Sequence, residues 1–167
     1  MEELLERGAV KAIGVSNFTI PQLADILANH RIPPAVNQIE INPLNQKAAE
    51  VEYMRKEQVQ PMAWGPLSQG GKNGMLDHET LKKLGSKYGR TTAQIALRWH
   101  IQRGVAAIPK SSRAERMREN MNIFDFELSG EEMRQIAKMD RGNAEDIHED
   151  PDFIKMLCGQ WKLKERK

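Results

Sequence analysis

Residues 12–41, AIGVSNFTIPQLADILANHRIPPAVNQIEI, decide the fold. Residues 12–17 are a short apolar run that ends in small polar residues. Thr19 and Pro21 then mark a helix start, a capping residue beside a first-turn proline. In PQLADILANH, Leu23, Ile26 and Leu27 fall on one face, as helical periodicity requires. Pro33 and Pro34 introduce a second apolar run, residues 35–41. Strand, helix and strand over so short a span predict a parallel βαβ unit, because parallel neighbours need a crossover.

The pattern continues outward from this unit. A helix is predicted over residues 47–57, then a strand over 60–65, QPMAWG. The Gly-rich loop SQGGKNG leads into two helical stretches, ETLKKLGSKYG and TTAQIALRWHIQRG, split near Gly89. A last strand is predicted over residues 105–111, VAAIPKS, followed by a helix over 114–120. SGEEMRQIAKMDRG then opens with the capping pattern of Ser129 and Glu132. The strands are separated by helices and end in polar residues. An α/β fold follows, with about four parallel strands and flanking helices.

The 167 residues suffice for one domain with its own core. A net charge of +2 gives a weak overall field, which argues against nucleic-acid binding by bulk charge. The single cysteine, Cys158, excludes an internal disulfide and suits a reducing compartment. MEELLERGAV lacks the apolar segment of a signal peptide, and no run reaches the roughly 18 apolar residues of a membrane helix. A soluble, cytoplasmic protein without membrane or nucleic-acid partners is expected. The chain opens inside an amphipathic helix, with neither a cap residue nor a leading strand.

Four motifs occur in order, each at a strand end: GVSNF (14–18), VNQIEINPL (36–44), AWGPLSQG (63–70) and IPKSSRAERMREN (108–120). Together they resemble the aldo-keto reductase superfamily, closest to bacterial reductases of small aldehydes and of keto-sugars such as diketogluconate. The resemblance runs to about Gly142. It implies the C-terminal half of a (β/α)8 barrel over residues 1–142 and a tail over 143–167. Active sites of such barrels form at the carboxyl ends of the strands.

The resemblance also implies NADP(H) as cofactor. Ser16, Asn17 and Gln38 would hold the nicotinamide carboxamide, whose donors and acceptor suit hydroxyl and amide side chains. A bare strand-to-helix turn would also accommodate Ser16 and Asn17. Trp64 would stack on the ring, although a core tryptophan needs no ligand; Trp99, on an apolar helix face, reads as core. Gly65, Pro66, Leu67, Ser68, Gln69 and Gly70 would approach the pyrophosphate. Lys110, Ser111, Ser112 and Arg116 would clamp the adenosine 2′-phosphate, with Glu119 and Asn120 reaching the adenine. A solvated basic helix end is the plainer alternative.

The family's proton donor is a tyrosine supported by lysine, aspartate and histidine on the early strands. Tyr53 and Tyr88 are the only tyrosines, both lie in helical stretches, and no aspartate–tyrosine or HWP motif occurs. His30, His78, His100 and His148 are isolated, and Glu131 and Glu132 belong to a capped helix. No catalytic residue and no metal ligand is assigned. The chain is expected to bind NADPH without catalysing, and to act on a small carbonyl substrate only when the N-terminal half is supplied. A half-barrel has open edges, so self-association is expected as well. Met1 falls where the family has an internal helix, which fits a truncated product or a late start. A non-catalytic NADPH-binding module and a self-assembling half-barrel stay open as alternatives. The tail resembles the family's mouth-covering segment through DPDFIKML, while GQWKLKERK departs from it and leaves Trp161 open as a substrate contact.

Overall fold

The computed structural model describes residues 1–71 and 73–142, and beyond these only 152, 155 and 156. Trp161, Cys158, His148 and most of the tail lie outside the described residues. Four strands form one parallel sheet in sequential order: β1 (Val15–Ser16), β2 (Val36–Glu40), β3 (Gln60–Trp64) and β4 (Ala106–Ala107). An order without reversal is that of a barrel segment; a doubly wound sheet would change direction at a switch point. The described residues form half of a (β/α) barrel, open at the β1 and β4 edges.

Two helix starts, after Thr19 and after Ser129, follow the predicted capping chemistry. The short α1 (Glu2–Glu6) buries no residue and carries no side-chain cap. At α2 (Ile20–Asn29) the Thr19 amide donates to Gln22 Oε1 at 2.9 Å. α3 (Ala48–Lys56) connects β2 to β3. α4 (Glu79–Tyr88) ends on Gly89, whose φ of +61° is the left-handed cap that favours glycine. α5 (Thr92–Gln102) starts with a capping box between Thr91 and Gln94, and α7 (Gly130–Ala137) with one between Ser129 and Glu132. Between them α6 (Ala114–Met121) buries no residue.

Two strands are shorter than the sequence predicts. β1 keeps two ladder residues of residues 12–17, though Ala35 N still donates to Ile13 O and Asn17 N to Gln38 O. β4 keeps two of residues 105–111, with Ile108 N donating to Ala63 O just beyond. Proline at 109 has no amide to continue the ladder.

Burial alternates along β2 and β3. Asn37, Ile39, Ile41 and Ala63 face the helices and are buried, joined there by Val51, Met54, Ile95 and Trp99. Gln38, Glu40, Met62 and Trp64 face the other way, toward the barrel interior, and are only partly buried. The core therefore sits between sheet and helices, and the inner face is the more open one. No helix among the described residues is long and apolar enough to cross a membrane.

Candidate functional site at the carboxyl ends of the strands

The end of β1 is held by β2. Ser16 Oγ and the Asn17 amide both donate to the Gln38 carbonyl at 2.9 Å. Asn17 has φ +57°, a left-handed conformation that asparagine tolerates better than most residues. The chain then turns into α2 under the control of Asn37. Its side chain is 1% exposed, accepts from Phe18 N at 3.3 Å and donates to Phe18 O at 2.9 Å. A buried amide must find partners, and here both of its ends find one backbone unit. Sequence reasoning passed over Asn37; strand alternation puts it on the face opposite Gln38, and that was the available signal.

Gln38 reaches across to β3, where Nε2 donates to Met62 Sδ at 3.2 Å. Trp64, at the end of β3, donates from Nε1 to Asn17 Oδ1 at 2.8 Å. Ser16, Asn17, Gln38 and Trp64 thus meet across three strand ends.

The loop after Trp64 is tightly wound. Gly65, Ser68, Gln69, Gly70 and Gly71 all have positive φ, including two non-glycines at +50°. Left-handed non-glycine residues cost on the order of 1–3 kcal/mol and cluster at functional sites. The amides of Ser68, Gly70 and Gly71 donate to the carbonyls of Gly65 and Leu67, so the loop is internally satisfied. Ser68 is buried at 6% exposure.

A cleft of about 550 Å³ separates this loop from the segment after β4. Trp64, Gly65, Pro66, Leu67, Gln69 and Gly70 line one side. Ile108, Pro109, Lys110, Ser111, Ser112, Arg113 and Arg116 line the other. The lining holds three cations and two hydroxyls and no carboxylate, and neither Lys110 nor Arg116 has an ion-pair partner among the described residues. Ser111 shapes the turn into α6, its Oγ accepting from Arg113 N at 3.1 Å. Arg113 is the lining cation that sequence reasoning missed, although it lies inside the quoted motif.

Not every expected residue joins the cleft. Ser68 is buried away from the lining. Glu119 accepts from Thr91 Oγ1 at 2.6 Å, and Asn120 lines a separate apolar groove with Met117 and Phe124. Both follow Arg116 on α6, at three and four residues, on the same helix face. Tyr88 donates its hydroxyl to Glu132 at 2.6 Å between α4 and α7, and Tyr53 packs against the core. Neither tyrosine lines the cleft. No group of three His, Cys, Asp or Glu residues able to hold a metal occurs among the described residues.

Comparison with known proteins identifies the fold's relatives. The profile of the aldo/keto reductase family matches residues 1–141. The chain belongs to the aldo/keto reductase family. It is 40% identical over 152 residues to methylglyoxal reductase DkgA of Escherichia coli K12, covering 91% of this chain and 54% of that protein. DkgA of Yersinia pestis is 43% identical over 151 residues, with 90% and 53% covered. Among solved structures, an aldo-keto reductase from a Medee basin deep-sea metagenome superposes with a TM-score of 0.83 at 40% identity, covering 86% of this chain and 53% of that one. A Bombyx mori aldo-keto reductase in complex with NADP gives 0.80 at 34% identity, covering 84% and 48%. This reductase-family chain spans about half the length of the curated relatives it matches.

Proposed function

We propose that this chain supplies the cofactor-binding half of an NADPH-dependent reductase of small aldehydes or ketones. Residues 1–142 are the half-barrel in this reading and 143–167 a C-terminal tail. The cleft between the two loops carries the proposal. Its three cations without a carboxylate suit a ligand with several negative charges, and Trp64 at its inner end suits a flat ring. A volume of about 550 Å³ lies within the usual range of small-molecule sites.

Lys110, Ser111, Ser112 and Arg116 hold the 2′-phosphate, and Arg113 adds a further charge at the same wall. The loop of Gly65, Pro66, Leu67, Ser68, Gln69 and Gly70 shapes the passage for the pyrophosphate. Glu119 and Asn120 serve the adenine end, with the Thr91 hydroxyl orienting the Glu119 carboxylate. Ser16, Asn17 and Gln38 orient the nicotinamide carboxamide, and Trp64 supports one face of the ring. When bound, the nicotinamide would supply hydride to a carbonyl carbon. Because neither tyrosine lines the cleft, the proton comes from residues outside this chain, and the chain alone does not turn over.

The open inner face favours one further reading. Gln38, Glu40, Met62 and Trp64 are only partly buried, and both sheet edges lack a neighbour among the described residues. Such a half-barrel associates with itself when no complementary half is present.

Titration with NADPH and with NADH, followed by tryptophan fluorescence, tests the cofactor reading. NADPH is expected to bind at least about tenfold more tightly, since charge-assisted hydrogen bonds contribute roughly 1.5–3 kcal/mol each. Lys110→Ala or Arg116→Ala is expected to erase most of that preference. Equal affinity for the two nucleotides overturns the assignment of the clamp. Carbonyl reduction by the purified chain overturns the assignment of the proton donor to another half.

A further inference from the structure

We infer that Trp64 is a positioning residue for Asn17, with its indole N–H fixing which end of the Asn17 amide meets a ligand. The inference rests on reading the strand-end cluster as the nicotinamide end of a cofactor site. Its basis is the 2.8 Å hydrogen bond from Trp64 Nε1 to Asn17 Oδ1. An asparagine amide can be flipped without visible change of shape, and the surroundings normally decide its sense. Here the sense is forced, because an indole nitrogen donates only and can face nothing but the oxygen. Nδ2 is thereby left as the donor end that Asn17 offers outward, so Asn17 presents an N–H to a ligand carbonyl oxygen.

The rest of Asn17 is equally constrained. Its backbone amide is bound to the Gln38 carbonyl, and its left-handed φ of +57° is set by the turn that Asn37 pins from below. The side-chain torsions are the remaining freedom, and Trp64 removes it. The two residues are 47 apart in sequence, Asn17 directly after β1 and Trp64 at the end of β3, with β2 between the two strands. The bond therefore couples the first and third strand ends over the top of Gln38. A phenylalanine at position 64 could still support a ring but has no donor to offer Asn17. Position 64 thus sets the hydrogen-bonding sense of the site in addition to any stacking.

The test is a double-mutant cycle of Trp64→Phe and Asn17→Ala, read as the dissociation constant for NADPH. Titrations with 2′,5′-ADP, which lacks the nicotinamide, run alongside. Trp64→Phe is expected to weaken NADPH about three- to tenfold beyond its effect in the Asn17→Ala background, the range of one lost hydrogen bond. Affinity for 2′,5′-ADP is expected to be unchanged. Additive NADPH effects overturn the inference, and equal weakening of both ligands reduces Trp64 to a structural role and overturns it too. Failure of the wild-type chain to bind either ligand instead removes the cofactor reading itself. A second readout needs no ligand. In a ¹⁵N–¹H spectrum, the indole resonance lost in Trp64→Phe is expected to shift and to exchange faster with solvent in Asn17→Ala. An unmoved resonance shows that the hydrogen bond is not formed and overturns the inference.

Discussion

Glu132 offers the sharpest test of how this half-barrel is held together. Its carboxylate is buried at the start of α7 and receives three donors: Lys87 Nζ at 2.6 Å, Tyr88 OH at 2.6 Å and Ser129 N at 2.7 Å. Burial alone pushes its pKa up; the hydrogen bonds from Lys87, Tyr88 and Ser129 outweigh this and bring it from 4.5 down to about 2. A depressed folded-state pKa means the unfolded chain binds the proton more readily. The stabilisation is therefore fully present above about pH 4.5 and is lost as pH falls toward 2. The full shift corresponds to about 3 kcal/mol at roughly 1.4 kcal/mol per unit. Lys87 is 61% exposed and so partly screened, which brings the expected contribution nearer about 2 kcal/mol. Urea unfolding of wild type and Glu132→Gln at a series of pH values measures it. The variant is expected to be about 2 kcal/mol less stable at pH 7, with the gap closing as pH approaches 2.5. A gap that stays constant from pH 7 to pH 3 refutes the reasoning, because it would come from packing and not from charge.

Further outcomes follow from the same structure. His100 is fully buried with Nδ1 2.7 Å from Ala96 O and Nε2 3.0 Å from Ile41 O, and burial lowers its pKa from 6.5 to about 4. The folded state thus resists a proton that the unfolded chain takes up near pH 6.5. Stability is expected to fall between pH 6.5 and 4 by up to about 3 kcal/mol and to level off below, a leg absent from the urea titration of His100→Gln. Gly14→Ala would set a Cβ onto Val36 Cγ1 and 2.8 Å from the Val36 carbonyl oxygen. It is expected to cost roughly 1–3 kcal/mol by overpacking, read by thermal melting, and to displace β1 with Ser16 and Asn17. An unchanged melting temperature would mean that β1 shifts freely.

Helix positions were legible because each rests on local chemistry. Thr19 with Gln22, Thr91 with Gln94 and Ser129 with Glu132 are capping pairs three residues apart, and Gly89 is a left-handed terminator; both patterns can be read from neighbours alone. The strands were legible as elements but not in extent. β1 and β4 each have one neighbour, and their ladders stop where the partner or Pro109 stops offering bonds, which only the assembled sheet decides. Within the candidate site, Trp64, Gly65 and Lys110 could be singled out because they lie in strand-end motifs that resemble the aldo-keto reductase family. Asn37 could not, since its role is to bind Phe18 across a strand pair. Nor does the local pattern reveal that Glu119 is taken by Thr91, a contact spanning 28 residues.

The sheet order bears on which part of the candidate site this chain can complete by itself. The cleft lies between the loops after β3 and β4, adjacent strands that are both present and paired through Met62 with Ala106 and Ala63 with Ala107. Its cationic wall draws on a helix that follows directly from β4, so nothing beyond these residues is needed to form it. The strand-end cluster of Ser16, Asn17, Gln38 and Trp64 is different. Its side chains border the inner face, where partial exposure leaves polar groups screened by water and their hydrogen bonds weaker than in an enclosed site. Binding energy should therefore be unevenly shared between the ends of one ligand. The expected signature is an NADPH affinity no more than about tenfold above that for 2′,5′-ADP in this chain, because the nicotinamide end adds only the hydrogen bonds of its strand-end cluster while the inner face is open. An NADPH affinity more than about tenfold above that for 2′,5′-ADP would show that the open face already orders the nicotinamide. In that case the four-stranded sheet would suffice for the whole cofactor, and any surface covering the inner face would not be needed to order it.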